Sequence, residues 1–510
     1  MRYETNEFCK QEQKELIGKR PPFLLILLCG LLTTEIVASL HIYLSNLQLY
    51  KSLTAIQAAG YLPVPGPLIM ARLQDLRPAL AGGLFFALTL GAGLTLTTLA
   101  AIWVWVRLFS RARSGLAIIF LGWGAMLVAV NSNGFNPLPF CYFLAVPAAV
   151  GFLSLKWAKG PLPLFNLRKS AVSLLPLLLL ALVWWSQLDS DMFLRIRDHL
   201  LLANPVGRTI NDFYYRYTLY AAEVFKPLHQ KTLKTCFIED LSDKPLKIRA
   251  ESTLRSRDFL SIESRSQADM IVAWQGDSML FEGPRVPRLK ILRKAFFADP
   301  DRELARVSLF WDKNSFLRTA VFFSLLLGFP VALYCLLLSL VTWMLALFVK
   351  PGTAQAGAAM VCLLMGCALY LPVWQARVPT SQLSDLNGAL LSEKWQIRLS
   401  ALRRIADRQM EIGDIANYHH LLDSPSIAER YWLARALGSS HKDDTYPELL
   451  RLLDDPHPNV VCQAYYGLGQ RGQKKAIPRI LEKMQASEHW YSQWYGYRAL
   501  KALGWIQPLM

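Results

Sequence analysis

Leu421-Leu422-Asp423-Ser424-Pro425 recurs 31 residues later as Leu452-Leu453-Asp454-Asp455-Pro456, and Leu437-Gly438 and Leu468-Gly469 follow at the same offset in the two copies. A looser copy ends at Leu503-Gly504, and an earlier one covers residues 395–407. A fixed period of this size marks stacked helical units, none of which can bury its apolar face alone. Each unit reads as two helices. Ile427, Tyr431, Ala434 and Leu437 form one apolar stripe, Val461, Ala464 and Leu468 the next, and Ile477, Ile480, Leu481 and Met484 a third. Pro425 and Pro456 stand just before the second helix of their units, where Pro is tolerated. The Gly after each Leu is expected to cap a helix C-terminus.

The D-x-P starts and the Leu-Gly helix ends resemble bacterial HEAT-like repeats of the short-period kind also found in phycobilisome-lyase-type proteins. The resemblance covers about the last quarter of the chain. It implies an α-solenoid over 378–510 whose concave surface binds a protein partner. Some members of that group act in chromophore attachment, but no cysteine here stands in a matching arrangement. Aromatic residues crowd this region: Trp432, Tyr465, Tyr466, Trp490, Tyr491, Trp494 and Tyr495. The run His489-Trp490-Tyr491-Ser492-Gln493-Trp494-Tyr495 is denser than one amphipathic stripe needs. These seven are the candidate partner-binding residues, since Trp and Tyr dominate interface hot spots. A terminal cap on the last repeat would use them equally well. His419-His420 has no carboxylate or Cys at ligand spacing and reads as surface.

Upstream the chain is of another kind. Of its 510 residues, 53% are hydrophobic and 18% charged, against about a quarter charged in an ordinary soluble domain. The apolar residues come in seven blocks, 22–44, 78–106, 115–130, 139–155, 171–188, 319–349 and 354–374. A bilayer core needs about 20 apolar residues in helical form. The third and fourth blocks are short, and the turn Asn131–Pro137 joins them as a helical hairpin. The sixth holds Gly328 and Pro330, which predict a kink or strong tilt. Trp103, Trp105, Trp157, Trp184, Trp185 and Trp374 stand at block ends, as interfacial anchors do. Gly82, Gly83, Gly91, Gly93, Gly122 and Gly124 suit close helix packing. The first block ends without a small-residue cleavage site and reads as a signal anchor.

Lys and Arg in the short loops set orientation. The tail has Arg2, Lys10, Lys14, Lys19 and Arg20, the second-to-third loop Arg107, Arg111 and Arg113, and the fourth-to-fifth loop Lys156, Lys159, Arg168 and Lys169. The N-terminus is therefore expected inside. Seven crossings put 189–317 and 378–510 outside, which is the periplasm if the membrane is a bacterial inner membrane. The net charge of +17 then belongs to loops meeting anionic headgroups. No aromatic-interleaved basic face marks nucleic-acid binding. The expected domains are a cytoplasmic tail 1–21, a five-helix membrane region 22–188, an extracytoplasmic α+β domain 189–317, a two-helix membrane region 318–375, and the repeats 378–510.

Within the blocks the polar residues are few. Glu35 and His41 in the first are candidate intramembrane groups, either as a proton or ligand path or as a carboxyl hydrogen-bonded to a neighbouring helix. Between the first two blocks, Gly60-Tyr61-Leu62-Pro63-Val64-Pro65-Gly66-Pro67 is apolar and is expected to lie in the interface or under the external domain; Asp75 is the loop's acid. In 189–317, Phe193, Ile196 and Leu200 predict an amphipathic helix leaving the membrane. Phe213, Tyr214, Tyr215, Tyr217 and Tyr220 form either a binding platform or a packed face. Residues 246–262 and 270–281 alternate in places and predict strands, with turns at Gln275-Gly276-Asp277 and Gly283-Pro284.

No catalytic motif, cofactor fingerprint or C-x-x-C metal pattern occurs. Of the eight cysteines, Cys236 and Cys462 fall in different polar regions, either bridged or free. The expectation is an α-helical polytopic membrane protein with about seven transmembrane helices, an α+β extramembrane domain and a C-terminal solenoid of HEAT-like repeats. It would be a membrane scaffold or accessory complex subunit contacting lipids and a protein partner, with no catalytic residue, cofactor, metal or nucleic acid assigned. The competing expectation is a membrane enzyme or transporter subunit for a lipid-linked or hydrophobic substrate, using Glu35, His41 and Asp75.

Overall fold

The computed structural model describes residues 22–157, 167–241, 243–283, 286–377 and 384–508. The basic tail 1–21 with Cys9, and also Lys159 and Pro284, lie outside the described residues. The chain divides into two compact units. One comprises Met1–His41, Leu80–Leu188 and Lys313–Ala368; the other comprises Ile42–Ala79, Asp189–Asp312 and Leu369–Met510.

Six helices among the described residues are long and apolar enough to cross a membrane: Phe23–Ala58, Leu76–Arg107, Arg113–Val130, Pro137–Lys156, Ser315–Leu345 and Pro351–Gln375. The fifth expected block forms the helix Leu167–Trp185, whose apolar stretch Val172–Trp185 is shorter than the others. In the first unit, Leu27, Ala92 and Ala332 make a small core from three of these helices, with Leu31, Leu96 and Leu336 packed on it. The contacts are close because small residues face each other. A Cβ on Gly30 would collide with Thr95, and one on Gly91 would collide with Thr34. Gly93 and Gly328 meet backbone to backbone: a Cβ on Gly328 would stand 2.8 Å from the Gly93 Cα. Gly91 and Gly328 each end a π-helical turn, Ala87–Gly91 and Ser324–Gly328. Gly122 and Gly124 differ from expectation, since a Cβ on either meets nothing within 4 Å. The helices Arg113–Val130 and Pro137–Trp157 pair instead through Trp123 Nε1, which donates to the Phe143 carbonyl at 2.6 Å.

In the second unit a five-stranded sheet has the order β2-β1-β3-β4-β5. The strands are β1 Lys234–Ile238, β2 Phe259–Ser261, β3 Met270–Gln275, β4 Ser278–Glu282 and β5 Leu289–Leu292. β1 pairs in parallel with β2 and β3, and β3-β4-β5 form an antiparallel meander. Strand alternation over 246–262 is wrong for its first half, where Lys244–Arg255 is helical. Asp243 caps it by accepting from the Leu246 N–H at 3.1 Å, and Ala250 and Leu254 share one face, buried on β1 and β3 side chains. A one-turn spacing of apolar residues decides helix over strand here.

The repeat region stacks the helices Trp395–Asp407, Ile427–Gly438, Pro458–Arg471 and Trp490–Ala502, each against the next. The intervening helices are short: a 3-10 turn at His419–Asp423, Tyr446–Arg451 and Ile477–Ala486. The Leu-Gly glycines serve packing where caps were expected. A Cβ on Gly438 would lie 2.5 Å from the Gly467 Cα, and Gly469 lies inside its helix against Ala499. The left-handed cap of that helix is Gly472 (φ 68°), and only Gly504 (φ 77°) of the repeat's Leu-Gly pairs takes that conformation.

Gly328→Ala is expected to lower the unfolding free energy of the detergent-solubilised chain by about 1–3 kcal/mol through overpacking. Gly122→Ala should leave it unchanged or raise it by up to about 1 kcal/mol, the helix-propensity gain. Chemical denaturation of both variants checks this; equal effects would contradict the close helix contact.

Candidate functional site

The candidate site is the face of the HEAT-like repeats, and it is built around a buried acid. The helix Met192–Ile196 continues through a π-helical turn, Arg197–Leu201. Its expected apolar stripe is not the buried face: Phe193 is 62% exposed and Ile196 and Leu200 are only half-buried, while Arg195, Asp198 and His199 are buried. A buried carboxylate is costly unless paired and hydrogen-bonded, and Asp198 is both. Its Oδ2 accepts from Trp432 Nε1 at 2.8 Å and its Oδ1 from Arg197 Nε at 2.7 Å. The Arg197 guanidinium lies 3.8 Å from the Tyr431 ring centroid. Arg403 and Arg435 each stand 5.0 Å from the Trp432 ring, and Arg403 also donates to Asp191 at 3.0 Å. The His199 ring packs on Trp395 with centroids 5.0 Å apart. The repeats present aromatic rings and cations, so the charged face of the segment is the one that fits them.

The next helix, Pro205–Glu223, continues the contact. Asn204 caps it by accepting from the Gly207 N–H at 2.8 Å. The buried Asn211 and Asn459 exchange amide hydrogen bonds at 3.0 and 3.3 Å. Tyr215 and Tyr491 lie 4.8 Å apart, and Tyr220 meets Trp490 edge-on at 4.9 Å. The tyrosine cluster thus finds its partner in the aromatic run 489–495, within the same unit. The loop after the first long helix is held there as well. One primary amide, that of Gln507, bonds both the N–H of Leu62 (3.0 Å) and its carbonyl (2.9 Å), and Gln493 accepts from the Gly66 N–H at 2.7 Å.

Of the seven candidate partner residues, Trp432, Tyr465 and Trp490 are buried. Tyr491, Trp494 and Tyr495 are half-buried, and Tyr466 is exposed. In the first unit Glu35 accepts from the Ser39 hydroxyl of its own helix at 3.0 Å, and His41 Nδ1 lies 3.3 Å from the Tyr142 hydroxyl. Asp75 is exposed and belongs to the second unit. His419 Nδ1 lies 2.6 Å from Glu448, which Tyr418 also contacts. Cys236 and Cys462 are free and buried. Among the described residues no group of three His, Cys, Asp or Glu side chains could hold a metal ion. Sequence reasoning missed Asp198, Asn211, Gln493 and Gln507, because each is explained only by a partner far away in the chain.

A model of the HEAT repeats family matches residues 417–501. The C-terminal region is a HEAT-like repeat domain. No curated protein and no solved structure matches the chain. The match starts after the helix Trp395–Asp407, which stacks on the matched helices in the same manner. HEAT repeats mediate protein interactions, and in this chain part of their surface is occupied by the chain's own segment 189–223.

Burial holds the His199 imidazole down at about 4, with Asp198 opposing, against about 6.5 when unfolded. The unfolded chain therefore takes up a proton near pH 6.5 that the folded chain refuses until about pH 4. The stability tied to a neutral His199 is complete above pH 6.5 and is lost as pH falls toward 4, by about 3 kcal/mol at most. Denaturation curves of the wild type and His199→Gln across pH 7.5 to 4, a span of about 3.5 units chosen to bracket both values, should diverge. Parallel pH profiles would contradict it.

Proposed function

We propose that the chain is an integral membrane scaffold or accessory subunit whose HEAT-like repeats, arranged as a short solenoid, hold a protein partner next to the bilayer. One observation carries this reading. The aromatic residues of the repeats divide into those packed on segment 189–223 and those left more open, with Tyr466 exposed and Trp494 half-buried. The packed ones fix the repeats to their own chain, and the open ones are where a partner is recruited.

Membrane insertion is supported by long apolar helices whose aliphatic side chains stay uncovered, such as Ile36 at 71%, Leu121 at 73% and Leu182 at 70% exposed. Contacts within the second unit support seven crossings over six. Leu62 bonds Gln507, and Asp198 bonds Trp432, which supports placing the loop after the first long helix, residues 189–312 and the repeats on one side of the membrane. Between the first and second of them come the helices Leu76–Arg107, Arg113–Val130, Pro137–Trp157 and Leu167–Trp185. An even number of crossings there favours the last spanning as well. Its 19 residues reach about 28 Å, close to the thickness of a hydrocarbon core. With basic loops inside, the repeats and the α/β part face outward, in a bacterial inner membrane toward the periplasm.

A photocrosslinking residue placed at 466 or 494 in intact cells should capture one discrete protein. The same residue at the exposed Leu309, on the α/β part, should not. Absence of a product at 466 and 494, or an identical pattern at all three positions, would refute the scaffold reading.

A further inference from the structure

A cleft of 680 Å³ opens in the second unit beside the carboxyl ends of β1 and β2, a volume within the range of small-molecule sites. The topology favours a site there. β1 runs through the helix Lys244–Arg255 to β2 on one side, while β3 lies on its other side. Parallel strands that diverge in this way leave a crevice at their carboxyl ends. The floor is largely apolar: Tyr61, Ile238 and Ile262 are each less than a tenth exposed. The rim is charged.

Only one ion pair closes among the charges of this rim. Lys247 is taken by Asp240 at 2.6 Å. Glu251 and Arg255 stand four apart on one helix face, a spacing at which opposite charges ordinarily close on each other. Neither has a side-chain hydrogen bond or ion pair among the described residues, and the same is true of Glu263, Ser261 and the Tyr61 hydroxyl, although all line the cleft. One guanidinium, two carboxylates and two hydroxyls thus converge over an apolar floor. A pure anion would meet the two carboxylates, and a pure cation would meet the guanidinium. Only a ligand carrying both signs satisfies the set.

We propose that this cleft binds a small zwitterion, its carboxylate or phosphate held by Arg255 and its ammonium by Glu251 and Glu263. An apolar substituent would lie against Ile262. A guanidinium grips either anion in bidentate fashion, so the shared chemistry covers a free α-amino acid and a phosphoethanolamine headgroup alike. The site is independent of the partner surface at Tyr466 and Trp494.

Calorimetric titration of the full detergent-solubilised chain tests it. L-leucine and O-phosphoethanolamine are the two zwitterions. The matched half-molecules are 4-methylvalerate, isopentylamine, ethanolamine and inorganic phosphate. Saturable binding of one zwitterion is expected, with its halves at least about tenfold weaker, and the zwitterion that binds identifies the source. Arg255→Gln and Glu251→Gln should each weaken it by at least about tenfold. Glu263→Gln, at an exposed position that packing does not use, should weaken it measurably with unfolding unchanged. Binding by neither zwitterion, halves that bind as tightly as the whole, or a Glu263→Gln chain with wild-type affinity would overturn the proposal.

Discussion

Asp198 is the residue on which the second unit turns. A carboxylate at 1% exposure persists only where donors surround it, and here they come from Arg197 and from Trp432 in the middle of the repeats. Removing either donor leaves a buried charge uncompensated, a much larger penalty than the loss of one ordinary hydrogen bond. That asymmetry locks segment 189–223 onto the repeats, and the Asn211–Asn459 pair sets its register. The helix Ile427–Gly438 illustrates the result. It packs between two repeat helices and under this segment, and Arg430 and Arg435 are its least buried residues.

Stacked repeats leave apolar ends that must be covered. Here the last repeat is covered by the Tyr61–Gly66 loop, which follows the first long helix in sequence by a few residues. Burial would orphan its backbone polar groups, and the side-chain amides of Gln507 and Gln493 satisfy those of Leu62 and the N–H of Gly66. Tyr497 and Lys501 reach Asp258 at 2.6 and 2.9 Å, joining the final helix to the α/β part. The repeats, the loop and the sheet therefore form one body with a polar as well as an apolar seam.

Periodic features are legible in the sequence and long-range ones are not. The 31-residue period locates the repeat helices, and the earlier copy expected at 395–407 forms a single helix over that range. Uninterrupted apolar runs locate the long helices. The glycines after Leu437 and Leu468 look like caps because Leu-Gly at a helix end is a local signal, but the steric reason for them is Gly467 and Ala499 on neighbouring helices. Phe193, Ile196 and Leu200 read as the apolar face of an amphipathic helix, yet Phe193 is exposed and the other two are only half-buried, because the repeats offer this segment aromatic rings and cations and take up Asp198 and His199 instead. The rings at 432, 465 and 490 look like a binding surface and are buried within their own unit.

The central claim is that segment 189–223 occupies the repeat face within its own chain. It is tested most directly by replacing both Asn211 and Asn459 with cysteine in the full-length protein and treating native membranes with a short bis-methanethiosulfonate, because side chains that meet amide to amide hold their Cβ atoms farther apart than the roughly 4 Å a disulfide needs. The account predicts rapid formation of an intramolecular crosslink between positions 211 and 459, absent from either single-cysteine chain and reversed by reductant. Two introduced thiols that each react with the reagent without becoming joined would contradict it.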